Sequence, residues 1–169
     1  RLSKIIQRVR TYAKRQHHEV KQENLSEIVD RALVSFRRSS LSSGVDVEVK
    51  APGKADALAD ALELELLIVN LLKNAAAASK DSREKLISVQ LSEEANEWLL
   101  SVSDHGQVIS DKLLSRLSHP AKSFSDGLGL GLSICRLIAE NHGGKLTFKP
   151  NNSKGLIVTL HLPKANKEI

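Results

Sequence analysis

A single cysteine, Cys135, excludes an internal disulfide and suits a reducing compartment. It falls on the apolar face of a predicted helix, where a small core residue is expected rather than a nucleophile. Aromatic residues make up only 3% of the chain, so Leu, Ile, Val and Ala must fill the core. No apolar run is long enough to cross a bilayer, and no signal-peptide pattern is present. The sequence opens at Arg1-Leu2-Ser3 in the middle of a helical pattern, so it reads as a piece of a longer protein, and the missing span says nothing of the parent. What is present is 169 residues, 41% hydrophobic and 27% charged, enough for one ordinary domain with a real core. The net charge of +5 raises nucleic acid as a partner, but Lys and Arg are scattered and much of the excess lies in the first 40 residues. An anionic small ligand or an acidic protein partner is expected, and no nucleic acid.

Residues 1–16 read as a basic helix with Leu2, Ile5, Ile6, Val9 and Tyr12 on one stripe, a pattern that wants a partner helix. Residues 17–23 are polar and read as a connector. The string His18-Glu19-Val20-Lys21 superficially resembles the His-Glu-x-Lys/Arg of phosphoacceptor helices, but no long apolar helix follows it. Asn24 caps an amphipathic helix running to about Arg38, and Val45–Val49 alternates as a strand. A short strand over Ala55–Ala59 and a Leu- and Ala-rich helix over 61–79 follow. Leu86–Leu91 and Glu97–Ser103 read as a hairpin, Asp111–Leu117 as a short helix, and Leu130–Asn141 as a helix ended by His142-Gly143-Gly144. Lys145–Lys149 and Leu156–Leu162 are further strands. This order lacks a steady βαβ rhythm. It predicts an α+β fold, a two-layer α/β sandwich with a mixed sheet covered on one face by helices.

Three stretches carry chemistry. In Asp126-Gly127-Leu128-Gly129-Leu130-Gly131-Leu132, glycines let backbone N–H groups approach a ligand, and the helix that follows aims its positive end at it, a pattern suited to phosphate. On the 61–79 helix, Asn70 and Asn74 are spaced i, i+4 and share one face amid leucines and alanines. Amides in so apolar a helix carry a desolvation cost, and their oxygens suit Mg²⁺ and its phosphate partners. Val102-Ser103-Asp104-His105-Gly106 ends a strand in a carboxylate and a glycine turn, well placed to accept from a ligand amine.

In this order the motifs resemble the Bergerat-type ATP-binding fold of histidine kinases, type II topoisomerases, Hsp90-like chaperones and mismatch-repair ATPases. Within it, the resemblance is to the catalytic ATP-binding domain of sensor histidine kinases, leaning toward the nitrogen- and dicarboxylate-sensor type. Asp60-x₃-Leu64-x₅-Asn70-Leu-Leu-Lys-Asn74-Ala is similar to their Asn box, and Gly127-x-Gly129-Leu130-Gly131-Leu132 to their second glycine box. The likeness covers roughly residues 25–163. It implies a division into residues 1–20, the end of a dimerisation helix plus linker, and 21–169, an ATP-binding catalytic domain. It further implies that Asn74 holds the Mg²⁺ bridging the phosphates, that Asn70 lines the same site, and that Asp104 takes the adenine amine while Gly106 lets the base approach. Gly127, Gly129, Leu130 and Gly131 would wrap the phosphates under a lid of about residues 108–126, with Lys122 or Ser123 reaching the γ-phosphate and Lys73 or Lys80 as alternatives. Glu65 would assist as a base on the acceptor histidine.

The implied activity is a protein-histidine kinase using ATP and Mg²⁺. The resemblance further implies that the phosphoacceptor histidine would lie on an upstream dimerisation helix of the same protein, that the parent would be a homodimer, and that a response-regulator receiver aspartate would take the phosphoryl group. The domain is expected in the cytoplasm, with an inner-membrane-anchored parent. One departure is that the usual Asp-x-Gly-x-Gly reads Asp104-His-Gly106-Gln-Val108, and a valine that cannot easily take φ > 0 implies an altered turn. This leaves open a degenerate nucleotide-binding or phosphatase-biased module. A chaperone- or topoisomerase-type ATPase is a third reading, against which Asn70 stands where a glutamate base would be.

Overall fold

The computed structural model describes residues 19–119, 129–152 and 154–164. The elements run β1 (Lys21–Asn24), α1 (Leu25–Arg37), a 3₁₀ turn (Ser40–Ser42), β2 (Asp46–Lys50), β3 (Asp56–Ala59), α2 (Ala61–Ala78), β4 (Leu86–Glu93) and β5 (Glu97–Ser103), then α3 (Asp111–Ser118), α4 (Gly129–Asn141), β6 (Lys145–Pro150) and β7 (Leu156–Pro163). The 5-stranded sheet has the order β2-β4-β5-β7-β6. β2 and β4 are parallel and every other pair is antiparallel, so the sheet is mixed, as expected.

Alternation in the strands decides which face is covered. Ile87, Val89 and Leu91 of β4, Trp98, Leu100 and Val102 of β5, and Val158, Leu160 and Leu162 of β7 are buried. The register aligns them across strands, with Val89 opposite Val102 and Val102 opposite Val158. A one-residue slip would send the whole set to solvent. The opposite face is polar, with Ser101 Oγ 2.9 Å from Thr159 Oγ1. The apolar face receives Ile28, Val29, Ala32 and Phe36 of α1, Leu64, Leu67, Ile68, Leu71 and Leu72 of α2, and Ile138 and Ala139 of α4. Cys135 is fully buried among them. Its thiol pKa is pushed up to about 12 by burial, which removes the thiolate a nucleophile needs. No helix among the described residues is long and apolar enough to cross a membrane.

The expected connector over residues 17–23 is a correction. Lys21–Asn24 is a strand, antiparallel to β3, with Lys21 opposite Ala59 and Asn24 opposite Asp56. Its partner recognises backbone N–H and C=O groups, so a polar sequence pairs as well as an apolar one at an exposed edge. His18 and the helix expected over 1–16 lie outside the described residues.

Asp60 fixes where α2 begins. Its Oδ1 accepts from Leu62 N at 3.0 Å and Glu63 N at 3.1 Å, and its Oδ2 accepts from Glu19 N at 3.1 Å. Its own N–H donates to Nε2 of His142 at 3.0 Å, and His142 Nδ1 lies 2.7 Å from Ile138 O, so the imidazole carries its proton on Nδ1. The start of α2 is thereby tied to the end of α4. Asp60→Ala is expected to destabilise the fold by about 1–2 kcal/mol, read as a lower denaturation midpoint, with Asp60→Asn retaining most of the cap. An unchanged midpoint for Asp60→Ala would remove the cap from the account of α2.

Candidate functional site

The two asparagines of α2 meet the glycine stretch at Gly131. A Cβ built on Gly131 would lie 3.4 Å from Asn70 Oδ1 and 3.8 Å from both Asn74 Nδ2 and Asn74 Oδ1. Asn70 Nδ2 donates to Leu66 O at 2.9 Å, which orients the amide along its own helix. Asn74 is exposed. α4 starts at Gly129 rather than Leu130, so Gly129 and Gly131 belong to its first turn instead of to a loop. That turn carries N–H groups without intrahelical partners, and it borders the amides of α2.

At the other end of the site, Asp104 is 5% exposed. Gly106 N donates to its Oδ1 at 2.8 Å, its own N–H donates to Leu156 O at 3.1 Å, and its carbonyl accepts from Asn151 Nδ2 at 2.7 Å. Burial pushes its carboxyl pKa up, against the Gly106 amide, which works in the opposite direction. Gly106 has a packing reason: a Cβ there would lie 2.6 Å from Ala78 O at the end of α2. Val108 does not strain the turn, because the only non-glycine with positive φ among the described residues is Asn152. Val108 is 69% exposed and stands at the rim.

Asn74, Gly131 and Asp104 all line one cavity of about 490 Å³. Its remaining walls include Leu71, Val102, Leu132 and Val158, an apolar floor between two polar ends. A flat heteroaromatic group fits the floor, with a hydrogen-bond acceptor at the Asp104 end and amides and helix N–H groups for an anion at the other. A cavity of about 670 Å³ lies on the far side of the Asp104 turn, where Arg83 and Lys154 are matched by Asp81 and Glu84. Neither Asn70 nor Asn74 lines it, nor does Gly131.

Not every expected residue joins the site. Glu65 faces α1, where Oε1 accepts from Ser35 Oγ at 2.8 Å and Oε2 lies 3.9 Å from Arg31 Nε. Its placement five residues before Asn70 turns it well away from the amide face, so a role on the reacting groups has no geometric support. Lys73 is half-buried and does not line the cavity, and Lys80 is exposed beyond the end of α2. Gly127, Lys122 and Ser123 lie outside the described residues, as does the end of the expected lid, residues 120–126, and Leu130 is described as backbone of α4 alone. The residues that sequence reasoning missed are Asn151 and Gly155, on the turn joining β6 to β7. Their signal was the Asn-Asn-Ser-Lys-Gly composition of a turn, which gives no hint that it presses on Asp104.

Residues 59–166 match the family described as "Histidine kinase-, DNA gyrase B-, and HSP90-like ATPase". Sensor protein FixL of Bradyrhizobium diazoefficiens is 30% identical over 173 residues, covering 99% of this chain and 34% of that protein. The C4-dicarboxylate transport sensor protein DctB of Rhizobium meliloti is 30% identical over 167 residues, covering 98% of this chain and 27% of its own length. The chain thus spans about a third or less of these relatives. Among solved structures, the catalytic domain of histidine kinase ThkA has a TM-score of 0.73 at 25% identity, over 86% of this chain and 97% of that one. ThkA in complex with the response regulator protein TrrA has a TM-score of 0.75 at 24% identity, over 99% of this chain and 48% of that chain, a likeness of fold.

The burial of Asp104 generates a prediction about stability. A carboxyl whose folded pKa is raised favours the fold below its unfolded pKa, and that contribution is lost as pH rises through the folded pKa. Once ionised, the carboxylate therefore works against folding. Asp104→Asn keeps an acceptor for Gly106 N and is expected to leave the denaturation midpoint at pH 7 unchanged or higher, with a smaller difference from the parent at pH 4. A clearly lower midpoint at pH 7 would mean that the charged form is stabilised in the fold.

Proposed function

The chain belongs to the histidine kinase-, DNA gyrase B- and HSP90-like ATPase family, and from that premise we propose that it is the ATP-binding catalytic domain of a sensor histidine kinase. The observation that carries this reading is the meeting of Asn70, Asn74 and Gly131 at one end of a cavity whose other end is Asp104. In this reading Asp104 accepts from the exocyclic amine of adenine, and Gly106, which packs against Ala78 and does not line the cavity, holds the Asp104 carboxylate through its N–H rather than admitting the base. The first turn of α4, with Gly129 and Gly131, surrounds the phosphates, and backbone N–H groups neutralise their charge; Gly127, outside the described residues, is assigned to the same group on its sequence. Among the described residues there is no group of three or more His, Cys, Asp or Glu able to hold a metal ion. A divalent ion would arrive with the phosphates, which is how Mg²⁺ ordinarily binds, and the amide oxygens of Asn74 and Asn70 suit it. Mg²⁺ bound there would neutralise phosphate charge.

The work of the domain is positioning: it presents the γ-phosphate to a histidine on an upstream dimerisation helix of a homodimeric parent. From that histidine the phosphoryl group passes to a receiver-domain aspartate of a response regulator. Residues 1–20 as the end of the dimerisation helix, a cytoplasmic position and a membrane-anchored parent belong to the same proposal.

Calorimetric titration with ADP and a non-hydrolysable ATP analogue, each with and without Mg²⁺, tests it. The parent chain is expected to bind both and to gain affinity from Mg²⁺. Asn74→Ala should lose the Mg²⁺-dependent gain, on the order of tenfold or more, while melting as the parent does. Asp104→Asn, which presents an N–H₂ group to the adenine amine, should weaken both nucleotides by a similar factor. Equal Mg²⁺ dependence in Asn74→Ala would place the ion elsewhere, and no nucleotide binding by the parent would overturn the reading.

A further inference from the structure

We propose that the turn joining β6 to β7 is part of the nucleotide-recognition apparatus, with Asn151 and Gly155 as positioning residues that set where the Asp104 carboxylate stands. This rests on the reading of Asp104 as the acceptor for the adenine amine. The peptide of Asp104 is held from behind by that turn. Asn151 Nδ2 donates to the Asp104 carbonyl at 2.7 Å, across a separation of 47 residues. A carbonyl can only accept, so the amide nitrogen of Asn151 must be the atom facing it.

Gly155 fills the remaining space. Its φ is +97°, and a Cβ there would lie 1.9 Å from Asp104 O, 2.7 Å from Asp104 C and 3.0 Å from Asp104 Oδ1. No side chain can occupy that position without pushing the Asp104 peptide toward the cavity. Gly155 N also donates to Gln107 O at 2.9 Å, so the turn grips the Asp104 segment on both sides of Gly106. The turn is closed on itself by Asn151 N to Gly155 O at 2.9 Å and Lys154 N to Asn151 O at 3.1 Å. It is therefore a formed abutment, and the carboxylate it backs is the group that tells an amine from a carbonyl on the base.

A hydrogen bond to an amine is sensitive to shifts of a few tenths of an ångström, and an acceptor facing a carbonyl is repelled. Displacing Asp104 should thus cost ATP more than inosine triphosphate, which carries a carbonyl where adenine carries its amine. A merely structural role for Asn151 would weaken the two nucleotides alike.

The test is the ratio of ATP to inosine triphosphate affinity, measured by titration on the whole chain, with the melting temperature recorded beside it. Asn151→Ala removes the donor, and Asn151→Asp replaces it with an acceptor of the same shape. Both are expected to bring the ratio down by about tenfold, Asn151→Asp at least as far as Asn151→Ala, with inosine triphosphate affinity nearly unchanged. On an Asp104→Ala background, Asn151→Ala should lower the ratio no further. If Asp104→Ala collapses the ratio and Asn151→Ala leaves it at the parent value, the positioning role is overturned and the reading of Asp104 stands. If the parent itself does not prefer ATP, the reading of Asp104 falls, and this inference with it. Gly155→Ala is expected to lower the melting temperature, and the two Asn151 variants decide the matter without it.

Discussion

The close approach of three backbone segments at Asp104 is the constraint on which the site depends. The Asp104–Gly106 turn lies between the last carbonyls of α2 and the turn between β6 and β7, and glycine stands at each contact. A Cβ at Gly106 would meet Ala78 O at 2.6 Å, and one at Gly155 would meet Asp104 O at 1.9 Å. Packing this tight places a carboxylate at 5% exposure beside an apolar floor. Desolvation opposes ionisation there, and the Gly106 amide offsets part of it. A charged group kept in such a place is costly to the fold, which is the pattern of a residue held for what it binds rather than for stability.

The opposite end of the cavity is set by the pairing of α2 with α4. Asp60 N reaches His142 Nε2 at 3.0 Å, joining the first residue before α2 to the residue just past α4. Further along, Gly131 stands against Asn70 and Asn74. Between these points Cys135 Sγ lies 3.6 Å from Leu67 O, inside the core. The helices are thus aligned at both ends and in the middle, and the spacing between the amides and the first turn of α4 follows from core packing. A site on packed helices holds its geometry better than one on loops. The core does this with aliphatic side chains, as an aromatic content of 3% requires.

Much of this was legible in the sequence because it depended on side-chain pattern. Alternation in Leu86–Glu93, Glu97–Ser103 and Leu156–Pro163 announces one-sided strands, and the i, i+4 asparagines announce a polar face on an apolar helix. What was not legible depended on backbone. β1 is polar and pairs through its main chain, so no periodicity marks it. Val108 departs from the expected glycine pattern, yet its turn needs no positive φ, a property of conformation that residue identity alone does not reveal. Gly155 and Asn151 act on Asp104 only because β7 lies beside β5 in the sheet, a neighbour relation fixed by tertiary structure. Glu65 lies near Asn70 in sequence, but its angle around the helix turns it toward α1, which residue order alone does not display.

The position of Glu65 also bears on which chemistry the domain favours. Hydrolysis of a phosphoanhydride is aided by a carboxylate that orients water at the phosphate end of the site. Among the described residues that end holds neutral amides, Asn74 lining the cavity and Asn70 beside Gly131, and the first turn of α4. Asp104 and Asp81, which also lines the cavity, are at the other end, Asp60 is engaged as a cap, and Glu65 is held by Ser35 and Arg31. Amides coordinate and orient without removing a proton from water. On the proposed reading, such a site binds a nucleoside triphosphate and leaves its γ-phosphate waiting for a nucleophile brought from elsewhere. That is the division of labour a kinase needs when its acceptor is carried on a separate helix.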